Sequence, residues 1–323
     1  MDDEHPAAAM RTAAVALLDA LPDAARARVA RGWDDPDRRW LEYRPRRRPG
    51  GCLADFDRTA RKAAHRLLAT GLSFPAYAQA MAIMALEEVL DRQEGWARGR
   101  HSDDYWVVIF GDPRDRAGDI PWTWRFEGHH LSVTMTVAGD EVSPAPVFLG
   151  ANPASVRHAG MVVSRPLAPE EELARALLDA MGPAARASAI VSDTAPPDIR
   201  SSVLPRAQAG IEPAGVAAAA LPPAGRALVD QLVALYLSRL PDPVAAAQAA
   251  GIDRGALHFA WEGPTRPAQR HYYRVQASDL LIEYDNTADD GSHAHTVLRR
   301  PFSDYGDDVL AEHHAAASPH SGG

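Results

Sequence analysis

Thiols are nearly absent from this chain, which has one cysteine, Cys52, in 323 residues. That excludes an intrachain disulfide and any zinc site built from several thiolates. A metal ion would have to be held by histidine and carboxylate. Long apolar runs are missing too, since no stretch approaches the roughly 18 residues of a membrane span. The opening residues, Met1-Asp2-Asp3-Glu4-His5, lack the basic start and apolar core of a secretory signal. Cytoplasmic residence without a membrane partner is the expectation. Excess positive charge is lacking as well. A net charge of −9 and a pI of about 5.8 give no general attraction to nucleic acid or anionic lipid. The basic run Arg44-Pro45-Arg46-Arg47-Arg48 is a local exception and reads as a solvated loop. No phosphate-binding loop, dinucleotide glycine pattern or nucleophile elbow is visible, and Cys52 carries no catalytic-thiol signature. No internal repeat is read either, the abundance of alanine being taken as composition alone.

What remains is an ordinary globular pattern, 46% hydrophobic and 24% charged. Apolar spacing predicts helices over 6–31 (punctuated at Leu21-Pro22-Asp23) and 56–70. A third should start at Ser73-Phe74-Pro75, with Ser73 as cap, and run to about Gln93. That helix should bury some combination of Tyr77, Met81, Met84, Leu86 and Leu90. Strands are predicted over 105–110, 122–126, 131–137 and 141–149. Helices return at 169–181, 223–240 and 242–250, around a proline-rich connection over 193–222. Strands follow at 256–262, 270–276, 279–285 and 293–299, and a helix over 304–316 closes the chain. The expected fold class is therefore α+β. Two strand groups, 105–149 and 256–299, should join into one mainly antiparallel sheet or partial barrel with flanking helices. Residues 1–40 would form a helical N-terminal segment, 41–316 a single domain, and 317–323 a disordered tail.

Histidine supplies the chemistry. Of 13 histidines, six lie between 258 and 314. Side chains two apart in a strand share a face, so His293 and His295 project together, as do Glu283 and Asp285. A symmetric hairpin would set Asp285 opposite His293 and Glu283 opposite His295. A second pair, His129-His130, sits where the apolar phase changes. Trp122, Trp124 and Phe126 are even-numbered, and Leu131, Val133, Met135 and Val137 are odd. A bulge or bend at Gly128 would account for the change and turn at least one imidazole inward.

Alternatives stand beside each reading. A single inward histidine is usually a hydrogen-bonded core residue. Alternate strand histidines make a ready chelate for imidazole-binding metals. Tyr273 and Arg274 could hold a substrate carboxylate, or Tyr272-Tyr273 could be a packed pair with Arg274 bridging Glu283. His313, near the end of the last helix, is a further candidate ligand, and Asp304 to Asp308 offers a cap or a carboxylate behind a ligand.

The leading expectation is a mononuclear metalloenzyme acting on a small molecule or peptide. Its ligands would be His293, His295 and one of His129 and His130, with His313 a possible addition. Glu283 would be a fourth ligand or general base, and Asp285 a nearby carboxylate. Trp122, Trp124 and Trp261 would wall the pocket. Iron, copper and zinc all suit such donors. The aromatic wall tips the reading slightly toward an oxidoreductase over a zinc hydrolase. A metal-free acid–base enzyme using His295, or a non-enzymatic binding protein, completes the alternatives.

Several segments resemble one known family. They are Trp106 to Gly111, Phe126-Glu-Gly-His-His-Leu131, Phe148-Leu-Gly-Ala-Asn-Pro153, Phe259-Ala-Trp-Glu-Gly263 and Tyr272-Tyr-Arg-Val-Gln276. Ile282-Glu-Tyr-Asp-Asn286, His293-Ala-His295 and Asp304-Tyr-Gly306, with His313 nine residues past Asp304, complete the set. Together, over roughly 40–314, the chain resembles the DUF3500 family, a domain of unknown function. Relatives often carry Trp-Arg-Asp where this chain has Leu298-Arg299-Arg300, so the acidic member of that trio is replaced. The resemblance implies a family without implying a reaction.

Overall fold

A computed structural model describes residues 5–115 and 120–307. Its first half comprises α1 (Pro6–Ala20), α2 (Asp23–Val29), β1 (Ala30–Arg31), β2 (Gly51–Cys52), α3 (Arg58–Gly71) and α4 (Phe74–Gln93). These lead into β3 (Tyr105–Phe110), β4 (Trp122–Gly128), β5 (Leu131–Ala138), β6 (Glu141–Ser143) and β7 (Val147–Ala151). A small separate ribbon follows, β8 (Val156–His158) with β9 (Met161–Ser164). The second half has α5 (Ala168–Ala180), α6 (Pro183–Ala189), β10 (Ile190–Ser192), β11 (Val216–Ala217), α7 (Pro223–Leu237) and α8 (Asp242–Ala250). It ends with β12 (His258–Glu262), β13 (Tyr272–Ala277), β14 (Leu280–Ala288) and β15 (His293–Arg299).

Local chemistry explains the boundaries. Ser73 caps α4 by accepting the Ala76 N–H, with Pro75 in the first turn where its missing donor costs nothing. The Ser73 hydroxyl also donates to the Ser238 carbonyl at 2.6 Å, tying α4 to the end of α7. Ser73→Ala should therefore destabilise the protein by about 1 kcal/mol in urea unfolding. Within α4, Met84, Leu86 and Leu90 are buried, while Tyr77 and Met81 are half-buried. The strand expected over 141–149 is two strands, because Pro144 and Pro146 cannot donate to a ladder.

The two strand groups join into one α+β sheet, in the order β1-β3-β4-β5-β7-β15-β14-β13-β12-β10. This is an open path rather than a barrel, and it is antiparallel apart from the β1·β3 and β10·β12 edge pairs. β7 and β15 meet antiparallel at its middle. On either side of them helices and sheet strands recur in the same order, β6 apart, so the halves are related by an approximate two-fold axis normal to the sheet. This corrects the reading of a chain without repeats. Ala16-Leu-Leu-Asp-Ala20 and Ala24-Ala-Arg-Ala27 return as Ala176-Leu-Leu-Asp-Ala180 and Ala184-Ala-Arg-Ala187. Arg26 donates to the Leu18 carbonyl and Arg186 to that of Leu178. Gly50 (φ +104°) and Gly215 (φ +88°) each press so close to a strand carbonyl that a Cβ would collide with it.

The two faces of the sheet differ in kind. Trp122, Trp124, Phe126, Trp261, Tyr273 and Tyr284 belong to one core with the helices, including Met10 and Leu17 of α1. The opposite face carries Thr123, Arg125, Glu127, Arg274, Glu283 and Arg299, all fully buried. Two irregular straps, over 33–50 and 193–215, cover it and supply partners for its charges. Arg125 donates to the carbonyls of Asp37, Arg38 and Trp40. Arg299 pairs with Asp304, and Arg274 with Glu262. Arg48, expected in a solvated loop, is buried. Its guanidinium gathers the Glu42, Arg44, Arg46 and Gly128 carbonyls, while Arg44, Arg46 and Arg47 stay exposed.

Of the closing helix, only a 3-10 turn over Asp304–Gly306 belongs to the described residues. His313 and the tail lie outside them. Among the described residues no helix is long and apolar enough to cross a membrane.

Candidate metal centre

Three imidazoles converge where the halves meet on the strap-covered face. His129 and His130 are the two turn residues of a tight hairpin, since Gly128 pairs with Leu131 across it. The even-to-odd phase change therefore comes from a chain reversal rather than a bulge in a continuous strand. His130 takes a left-handed backbone (φ +62°), which histidine adopts more readily than most side chains. Its N–H donates to the Tyr43 carbonyl, and its own carbonyl accepts from Gly150 N–H.

The second hairpin also differs from its expected register. β14 runs on to Ala288, and the turn is completed by Asp289, Asp290 and Gly291 with positive φ. Asp285 thus lies opposite His295, Glu283 opposite Val297, and His293 opposite Ala288 across an irregularity. The pairing has slid by two residues, which preserves the face of every side chain. His293 and His295 still project together.

The ligand-capable nitrogens of His130, His293 and His295 all lie within 4.8 Å of one another. The Nε2 atoms of His130 and His293 are 2.6 Å apart. Such a contact needs one shared proton, or a cation that both lone pairs reach. A tetrahedral ion with bonds of about 2.0–2.1 Å would hold its ligand nitrogens about 3.3–3.4 Å from each other, a small adjustment. Behind the rings stand carboxylates. His293 Nδ1 is 3.1 Å from Asp289, a carboxylate that the Asn152 amide also binds. His295 Nδ1 is 2.9 Å from Asp198 and 3.3 Å from Asp285. A carboxylate on Nδ1 fixes the proton there and directs the Nε2 lone pair to the centre.

His129 lies against His130 with ring centres 3.7 Å apart and the planes tilted by 35°, and its Nδ1 faces Glu87 of α4 at 2.5 Å. Arg100 stands 3.3 Å from the same nitrogen, which disfavours a second cation there. Burial, with the neighbouring imidazoles of His129, His293 and His295, pushes the His130 pKa well below the ordinary value. Burial and then His295 bring His293 down to about 4, despite Asp289. For His295 burial works in the same direction, but Asp285 and Asp198 outweigh it and raise the pKa to about 9. His130 and His293 are thus neutral near pH 7, the state in which imidazole binds metal. The His293 side chain is 17% exposed, so the cluster opens to solvent on that side.

Other expected residues sit elsewhere. Glu283 is spent on the strap. It accepts from the Arg200 N–H at 2.6 Å, the Ser201 N–H at 3.2 Å and the Tyr272 hydroxyl at 2.9 Å. Arg274 is paired with Glu262 rather than Glu283 and bonds strap carbonyls. Tyr273 faces the helices, where its hydroxyl meets Tyr236 and the Glu170 carbonyl. The tryptophans proposed as a pocket wall lie on that same helical face, because strand alternation sends them away from the histidines.

Besides Asp289 behind His293, three contributors escaped the sequence. Asp198 and Tyr43 come from the straps, where no periodicity marks them. Gly150 lies directly opposite His295 in the ladder. A Cβ there would stand 2.9 Å from His130 Cδ2 and 3.1 Å from His295 Cδ2, so only glycine leaves both rings undisturbed.

A family model described as a protein of unknown function, DUF3500, matches residues 3–307. No curated protein and no solved structure matches the chain.

Proposed function

We propose that this chain, which belongs to the DUF3500 family, binds one divalent metal ion through the Nε2 atoms of His130, His293 and His295 and uses it in catalysis on a small-molecule or peptide substrate. The observation that carries this reading is the convergence of three imidazoles, two of them held from behind by carboxylates. Two neutral imidazoles, with His295 giving up its proton as the ion binds, suit zinc, iron or copper. The slight preference for redox chemistry rested on an aromatic wall, and those tryptophans pack against the helices instead. Zinc held by three histidines leaves a position for water and lowers its pKa to about 7, so hydrolysis becomes the favoured reaction class. Iron or copper in the same ligands would return the reading to an oxidoreductase.

In this reading His130, His293 and His295 hold the ion. Asp289, Asp198 and Asp285 keep the rings in register, and the exposed side at His293 admits the substrate. A second reading has its own support, because His295 held by two carboxylates is also the arrangement of an oriented general base. Metal content separates the two. Protein purified without an affinity tag and reconstituted with zinc should carry about one ion per chain, the stoichiometry of a single three-histidine site. A folded His293→Ala/His295→Ala double variant should lose it. No retained metal in the reconstituted protein, or full retention in the folded double variant, would sink the proposal.

A further inference from the structure

We infer that Asp198, carried by a strap rather than by the sheet, is the positioning residue that sets metal affinity at this centre, and that Glu283 and Tyr43 act on the ion through it. This inference rests on the metal-binding reading above and extends it to residues outside the ligand set.

His295 Nδ1 has one proton and two carboxylates within reach. Asp198 is the nearer, at 2.9 Å against 3.3 Å for Asp285. Asp285 is fixed by its strand and opposes His295 in the ladder. Its Oδ1 is already occupied by the backbone N–H and hydroxyl of Thr287. Asp198 reaches the ring from outside the sheet, so its placement depends on how the strap is held. Two devices hold it. The Tyr43 hydroxyl donates to Asp198 Oδ2 at 2.7 Å. The Tyr43 ring lies flat on Phe148, with centres 4.1 Å apart, and its carbonyl takes the N–H of His130. One residue therefore touches two of the three ligands, His130 through the backbone and His295 through Asp198.

The second device is Glu283. Its carboxylate accepts the N–H groups of Arg200 and Ser201, two and three residues past Asp198. A buried carboxylate spent on backbone donors pins that stretch of strap to the sheet. Glu283 shares a face with Asp285 and His295, yet it belongs to none of the metal-competent groups found among the described residues. Its route to the ion runs through Arg200-Ser201 and Asp198 to His295.

The test is zinc affinity by competition against a chromophoric chelator, with the visible spectrum of the cobalt-substituted protein as a geometric readout. Asp198→Asn keeps the shape and removes the charge. It should weaken zinc about 10–100-fold and shift the cobalt bands while the ligands remain. Tyr43→Phe and Glu283→Gln should each weaken zinc by less. Either effect should largely vanish when added to Asp198→Asn, since residues acting through a common partner are not additive. Should Glu283→Gln fail to fold, Tyr43→Phe carries the same cycle. Unchanged affinity and spectrum in Asp198→Asn would overturn the inference. So would undiminished effects of the other two in that background. A wild-type protein that binds no zinc or cobalt would instead overturn the metal reading itself, so the two failures are distinguishable.

Discussion

Gly150→Val should weaken zinc binding by on the order of 100-fold, at the upper end of what disturbing a ligand from behind costs, while leaving the sheet folded. β7 brings this residue under the site, where even a single Cβ stands closer to the His130 ring than real contacts allow. The Ala294 carbonyl blocks retreat along the ladder at 3.1 Å from the same position. A branched side chain must therefore displace His130, His295 or both. β-branched residues suit strands, so apart from the close approach to the Ala294 carbonyl the ladder can hold valine. Gly150→Ala should fall between wild type and valine. Chelator competition checks the order, and circular dichroism checks the fold. A valine variant that binds zinc like wild type would mean that the rings can move freely and do not form a preorganised site.

The largest stability loss is expected at Glu127→Ala, about 3–5 kcal/mol. Arg125 and Glu127 are fully buried on the strap-covered face, 3.0 Å apart, though not aligned as a hydrogen bond. Glu127 also accepts from Ser132 and lies in the field of Arg48. Removing it leaves Arg125, and to a lesser extent Arg48, as buried cations without their counter-charge. Burial raises the Glu127 pKa, against the pull of Arg125 and Arg48, so the carboxylate carries its own desolvation cost. The predicted loss therefore measures the stranded arginines rather than the net worth of the pair. A domain of ordinary stability has only about 5–15 kcal/mol to lose. Urea unfolding should show the midpoint falling steeply, with an unchanged slope if only stability has altered. A loss below about 1 kcal/mol would indicate that water reaches the arginines.

The elements were legible where a periodic face meets the core. The α4 cap, the β4 and β5 strands and the β14–β15 hairpin all follow from residues that alternate or recur at helical spacing. Register was less legible. His293 and His295 could be placed on one face from parity alone, but the partner of each depends on how far β14 runs before it turns. At His129-His130 the phase change was visible and its cause was not, because a bulge and a two-residue reversal shift parity alike. Glu283 and Asp285 were visible as a pair on one face, but only the strap decides that the first anchors backbone while the second supports a ring. Asp198 and Tyr43 lie in segments whose conformation is set by the buried charges of the sheet, which local sequence does not encode. The repeat was hidden in plain composition, since most of its recurring identities are alanines on helices.

The internal repeat divides the centre between its two halves. His130 belongs to the first half, whereas His293 and His295 belong to the second, and the turn equivalent to His129-His130 is Ser278-Asp279. There Asp279 is consumed by Arg300, Ser303 and the Phe302 N–H, so the matching position is filled by an internal ion pair. Neither half owns a complete ligand set, and an ion bound at His130, His293 and His295 would be a cross-link between the two repeated halves. If the chain were cut within 152–167, the β7·β15 ladder would still join the fragments, and the ion would be a rivet through that seam whose removal by a chelator loosens it.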